Sequence, residues 1–293
     1  MKEQTSQIQK TASTLFDLSE HTDVAYSHQI ADLMVKKTGI EWTKMSTNEF
    51  TALPVSRFNT NQSLLDFMSK KFGSNFQIVE LGSGFTPHYL NLKTKVLKYI
   101  EVELEVNSNL KKEIINEITP VGDDVVFVSG DILDENTWKS VKENLDLKYP
   151  VVIFSEGVIA QYFNVEQKKT VSLFIQDLLK VEGSAFVLDD TLRNHPELHS
   201  NPIIAEGMKR IMQQSGSNTY NAEFQTFDGE IERWKGLLPD VEIVTVEYIK
   251  SKPEMDFAVG SFKLIVCLQK PSEDLKSGLS ELSLQNKNNR IWK

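Results

Sequence analysis

A single cysteine, Cys267, stands in 293 residues, so no disulfide can form within the chain. Its place inside an apolar run marks it as a small buried hydrophobe. Long hydrophobic runs are missing too, and no stretch nears the ~20 apolar residues that span a bilayer. The polar start Met1-Lys2-Glu3-Gln4 has nothing of a signal peptide, so the expected compartment is the cytoplasm. Positive charge is not in excess. A formal net charge of −9 argues against a nucleic-acid partner, whose backbone calls for clustered cations. There is no nucleophile elbow, no Gly-Lys-Ser/Thr phosphate loop and no internal repeat. His195 and His199 have an i, i+4 spacing, but Pro196 follows the first and no third ligand accompanies them. Two exposed polar histidines are expected there, and no metal site.

One further absence decides more than the others. Ile78-Val79-Glu80-Leu81 runs into Gly82-Ser83-Gly84-Phe85-Thr86-Pro87, and a second apolar strand, Lys98-Tyr99-Ile100-Glu101-Val102-Glu103, ends on a carboxylate. Strand, glycine turn and strand ending in an acid is how an open parallel sheet builds a nucleoside pocket at the carboxyl ends of its strands. Gly82 and Gly84 allow a tight turn and close approach to a ligand. Glu103, 19 residues after Gly84, is spaced to reach a ribose diol. A dinucleotide fingerprint wants a third glycine at position 87, and the chain has Pro87. Thr86 reads as the N-cap and Pro87 as the first residue of a following helix, which then lacks one donor for a pyrophosphate. A nucleoside without phosphates loses nothing by this. S-adenosylmethionine is such a ligand, and Glu80, Glu103 and Asp131 at the strand ends suit its cationic sulfonium.

The remaining pattern predicts an α/β fold. Val125-Val126-Phe127-Val128, Val151-Val152-Ile153-Phe154 and Ala185-Phe186-Val187-Leu188 are short apolar runs separated by helical stretches, the signature of strands buried on both faces. Residues 241–249 and 261–269 alternate more and read as a closing antiparallel pair. Together these give a doubly wound, mostly parallel seven-stranded sheet with its crevice above the first and fourth strands. With 40% hydrophobic residues, the chain can bury one large core. Residues 1–72 are expected to form a helical cap over the crevice. The core is placed at 73–270 with a helical insertion about 192–240 walling the acceptor site, and 271–293 is expected as a loose polar tail.

Four segments together resemble a known family. Val-Glu-Leu-Gly-Ser-Gly-Phe, Tyr-Ile-Glu-Val-Glu-Leu, Ser-Gly-Asp-Ile-Leu with Trp138 downstream, and Ser-Glu-Gly-Val-Ile-Ala-Gln-Tyr-Phe look like the leucine carboxyl methyltransferases. These are class I enzymes that include protein phosphatase methyltransferases and bacterial O-methyltransferases of polyketide-type metabolites. The resemblance runs from about Arg57 to Asp190. It departs where the family's glycine loop continues Asp-Thr-Arg and this chain has Thr86-Pro87-His88.

The resemblance implies a Rossmann-like class I fold, S-adenosyl-L-methionine as cofactor and a role for each matching residue. Glu103 would grip the ribose hydroxyls, and Asp131 with the Ile132 backbone would address the adenine edge. Arg57 would pair with the methionine carboxylate, Glu156 and Gly157 would lie beside the methionine moiety, and Tyr162 would stand at the pocket mouth. Plainer roles exist: Asp131 could cap a helix, Arg57 could be a solvated charge, Tyr162 could be core packing, and Glu80 could bond only the loop. Glu101 is expected to matter much less than Glu103, on the reading that alternation along the strand points it to the opposite face. The expected reaction is O-methylation of a small-molecule carboxylate or hydroxyl, a protein carboxyl terminus being the next choice of acceptor. A carboxylate needs no general base, whereas a hydroxyl does, with His28 or His195 as candidates. The competing readings are a catalytically silent scaffold of the same fold and an NAD-dependent oxidoreductase.

Overall fold

A computed structural model describes residues 2–20, 24–40, 48–189, 227–249 and 263–288 of the chain. Three helices come first: α1 (Lys2–Ser19), α2 (Ser27–Thr38) and α3 (Asn48–Phe72). The sheet then begins with β1 (Gln77–Leu81) and β2 (Lys98–Glu103), followed by α4 (Glu105–Ile118), β3 (Val125–Ser129) and α5 (Glu135–Glu143). After β4 (Val151–Ser155) come α6 (Ile159–Tyr162), α7 (Val165–Leu178) and β5 (Ala185–Asp189). The described chain resumes with α8 (Phe227–Leu237) and β6 (Val241–Glu247), then β7 (Lys263–Gln269) and α9 (Glu273–Asn288).

The seven strands form one sheet in the order β3-β2-β1-β4-β5-β7-β6. The first five are parallel, and β7 runs antiparallel between β5 and β6. Strand order reverses between β1 and β4, the place where such a sheet opens a ligand crevice. Successive side chains alternate between the faces. Ile78, Tyr99, Val152 and Val187 pack on one side with Leu64, Leu65 and Met68 of α3 and Leu275 and Leu279 of α9. Val79, Ile100, Ile153 and Phe186 pack on the other with Trp138 of α5, Val171 and Ile175 of α7 and Trp234 of α8. A separate apolar cluster joins α1, α2 and Ile114 of α4 to Phe85 of the glycine turn.

Two expectations change here. Residues 273–288, read as a loose tail, are a helix that buries Leu275 and Leu279 against the sheet. Its apolar residues are too sparse to announce themselves, yet at i and i+4 they form one stripe. The helix expected from Thr86 and Pro87 is also absent. Between β1 and β2 the described chain has only a three-residue 3₁₀ turn, Tyr89–Asn91. Thr86 caps nothing: its hydroxyl donates to Glu80 Oε1 at 2.9 Å and lies 2.9 Å from the Ser83 carbonyl.

Candidate active site

The glycine turn is stitched to β2. Gly82 and Ser83 donate their N–H groups to the Val102 carbonyl at 2.8 and 3.2 Å. Gly82 has φ +65° and Gly84 φ +48°, the left-handed region that suits glycine. Space is short as well. A Cβ on Gly82 would stand 2.6 Å from Val158 Cγ2, and one on Gly84 would stand 3.3 Å from Thr11 Cγ2 of α1.

Glu103 ends β2 beside the glycine turn. Its Oε2 accepts the Gly84 N–H at 2.8 Å, and its Oε1 accepts the Leu104 N–H at 2.8 Å and Asn107 Nδ2 at 3.2 Å. Three of about four lone-pair sites are used, which leaves one on Oε2 for a hydroxyl donor. Asn107 also donates to Thr11 Oγ1 at 2.9 Å, tying α1 to this carboxylate. Glu80 is different. Thr86 and Tyr99 Oη (2.7 Å) each bond one of its oxygens, so this buried acid shapes the loop from behind.

Glu101 corrects its expectation in part. Two residues from Glu103, it shares that face of the strand, because side chains repeat every second residue. It reaches under the glycine turn to Lys111 Nζ at 2.6 Å, and Lys111 in turn donates to the Ser83 carbonyl at 3.3 Å. Burial pushes the Glu101 carboxyl up to about 7, only partly offset by Lys111. The Lys111 partnership was hidden, since a lysine in α4 looks like any solvated helix charge.

At the end of β3, Asp131 is exposed, and its Oδ1 accepts the Leu133 N–H at 2.9 Å. The cap of α5 is Asp134, which accepts from Asn136 N. The Ile132 carbonyl is taken by the Trp138 indole at 2.8 Å.

Arg57, Glu156 and Asp189 meet across the tops of β4 and β5. Arg57 Nε donates to Glu156 Oε1 at 3.2 Å, and its Nη1 lies 3.4 Å from Asp189 Oδ2. Asn61, one helical turn along α3, donates to Glu156 Oε2 at 2.9 Å. Gly157 (φ +70°) gives its N–H to Asp189 at 3.0 Å, and a Cβ there would meet the guanidinium at 3.2 Å. Arg57 is buried and paired, not a solvated charge. Burial alone would raise the Glu156 carboxyl, but Arg57 and hydrogen bonds from His88 and Asn61 outweigh it and hold it at about 2. A carboxylate held below its ordinary value of 4.5 adds stability that is complete above that pH. That contribution disappears as pH falls toward 2, and it amounts to about 3 kcal/mol. In acid titrations of unfolding, Glu156→Gln should therefore show a shallower fall between about pH 4.5 and 2 than the native chain. Equal slopes would refute it.

Asp189, Asn61, Gln62 and His88 were not foreseen as site residues. Asp189 had a signal as the acid ending an apolar strand, and Asn61 had one in its i+4 spacing from Arg57. Of the candidate bases, His28 stands in solvent with a side chain 77% exposed, its Nε2 3.5 Å from Asp32 Oδ2. Tyr162 is half-buried against the apolar cluster under α7. His195, His199 and the proposed acceptor wall at about 192–240 lie outside the described residues up to 226. Among the described residues, no group of three or more His, Cys, Asp or Glu is placed to hold a metal, and no helix is long and apolar enough to cross a membrane.

A mostly parallel seven-stranded sheet with an antiparallel β7, a glycine turn after β1 and an acid ending β2 define the class I methyltransferase fold. No protein-family model and no curated protein matches the chain. Solved structures do. A candidate methyltransferase from Thermobifida fusca is 16% identical with a TM-score of 0.57, over 88% of this chain and 94% of that one. A DUF574-family protein from Streptomyces avermitilis is 14% identical with a TM-score of 0.53, over 90% of this chain and 97% of that one. At these identities the likeness is one of fold.

Proposed function

We propose that the protein is an S-adenosylmethionine-dependent methyltransferase acting on an oxygen of a small-molecule acceptor. One observation carries the reading: Glu103, clamped by the Gly84 and Leu104 N–H groups, stands at the end of β2 beside a glycine turn that no α-helix follows. A pyrophosphate is normally held on a helix N-terminus after such a turn, and the described chain offers none there. An adenosine has no such need.

The residues fit this donor. Glu103 would take the ribose, Asp131 and the Ile132 N–H the adenine edge, and the group around Arg57, Glu156 and Gly157 the amino-acid end. The donor carries one net positive charge, and acids stand at the ends of β2 and β3 as Glu103 and Asp131. Bound there, S-adenosylmethionine supplies a methyl group already activated as a sulfonium. The chain then has to align the acceptor and exclude water, and positioning of that kind is worth about 7–11 kcal/mol. Thr11 of α1, against Gly84 and bonded to Asn107, puts this helix over the turn, where it can act as a lid. Carboxylate acceptors suit the site because they arrive ionised and need no base, while His28 faces solvent. A protein carboxyl terminus is the second choice of acceptor, and the cytoplasm the expected location.

Calorimetry with S-adenosylhomocysteine and NAD tests the donor. The adenosyl ligand should bind and NAD should not; NAD binding the tighter would overturn the assignment in favour of an oxidoreductase. Neither ligand binding would favour the silent scaffold. Glu103→Ala should lose charge-assisted hydrogen bonds worth about 1.5–3 kcal/mol, or roughly ten- to a hundredfold in S-adenosylhomocysteine affinity. An unchanged dissociation constant in the folded variant would remove Glu103 from the site.

A further inference from the structure

We propose that His88 is a positioning residue of the donor site, holding Glu156, and through it Arg57, in place for the amino-acid end of S-adenosylmethionine. The inference rests on the methyltransferase reading above and concerns the point where the sequence departs from the family it resembles. His88 is wholly buried. Its ring stacks on Phe58 with centroids 4.2 Å apart and planes at 18°, and meets Phe154 edge-on at 5.2 Å. Clamped between these rings, the imidazole cannot turn away. Its Nε2 lies 2.9 Å from Glu156 Oε2 and its Nδ1 3.0 Å from Gln62 Oε1.

A buried imidazole is costly where an aromatic hydrocarbon would fill the same space, unless its polar atoms have work to do. Here they reach the one carboxylate that carries the arginine. Glu156 is held by three donors, Arg57 Nε, Asn61 Nδ2 and His88. The first two come from α3. His88 alone comes from the glycine loop, so it links the nucleoside end of the crevice to the amino-acid end. Slack is small on the far side, where the guanidinium already lies against Gly157 and reaches Asp189. A carboxylate released from His88 would swing and carry Arg57 with it.

The test compares two ligands that share adenosine and ribose. S-adenosylhomocysteine has the amino-acid tail, and 5′-methylthioadenosine lacks it. His88→Ala should weaken S-adenosylhomocysteine roughly tenfold and leave 5′-methylthioadenosine unchanged. His88→Gln, whose amide nitrogen reaches toward the old Nε2 position, should restore the loss, and the shorter His88→Asn should not. Equal losses for both ligands, no loss for either, or rescue by Asn as full as by Gln would overturn the proposal. Should His88→Ala fail to fold, Gln against Asn carries the same contrast, and equal affinities there overturn it. The native chain keeps the two readings apart. If it binds neither ligand, the donor assignment falls and this proposal with it; if it binds both, only the variants judge His88.

Discussion

Arg57→Ala should cost about 3–5 kcal/mol of stability at pH 7, because it removes a buried cation that pairs with both Glu156 and Asp189. Their side chains are 4% and 0% exposed, so water cannot replace the guanidinium. The urea midpoint should drop with little change in slope. The gap from the native chain should narrow as pH falls, since the two carboxyls, no longer held down by Arg57, take up protons sooner. Donor affinity should fall as well. Arg57→Lys should recover part of the stability but not the fork that reaches two acids at once. A midpoint unchanged at pH 7 would mean that the guanidinium is dispensable to the cluster.

Gly82→Ala should be nearly as damaging, for an unrelated reason. The backbone there sits at φ +65°, which costs a Cβ-bearing residue roughly 1–2 kcal/mol. The methyl would also stand 2.6 Å from Val158 Cγ2, and overpacking of that kind adds about 1–3 kcal/mol. Val158 follows Gly157 directly, so relief by moving Val158 shifts the backbone that bonds Asp189. Thermal unfolding and S-adenosylhomocysteine affinity should therefore fall together. Gly236→Ala is the control, because a Cβ there meets nothing within 4 Å. It should be neutral or mildly stabilising within a helix. If the two variants melt alike, the tight turn at Gly82 has been misjudged.

Much of the frame was legible in the sequence because its signals are local. Three runs of four apolar residues, at 125–128, 151–154 and 185–188, separated by helical stretches, read as strands buried on both faces, and with the two strands flanking the glycine turn they give the parallel sheet. The turn at Gly82 and Gly84 and the acid at Glu103 were equally plain, being fixed by spacing within one β-loop-β unit. Glu80 was chosen for its place at a strand end, yet its two oxygens serve Thr86 and Tyr99. The helix expected after Pro87 failed because N-terminal signals tell where a helix can start, not whether the following residues have a face to bury. His88 turns inward between Phe58 and Phe154 instead. Helix α9 was missed for the opposite reason, a thin apolar stripe that gains its stability only by docking on the sheet.

What the sequence by itself determined, then, was the alternation of strands and helices, the glycine turn after β1 and the acid that ends β2. Each depends on residues close together in the chain, where periodicity and turn chemistry act directly. Only the tertiary structure decided how Arg57, His88, Glu156 and Asp189 share their charges, and that Lys111 lies buried beneath the glycine turn. Arg57 and Glu156 are 99 residues apart. Nothing local distinguishes a lysine or arginine bound for water from one bound for a buried carboxylate; the choice is made when the helices pack and water leaves, since a buried charge is tolerated only where its partner is already in place.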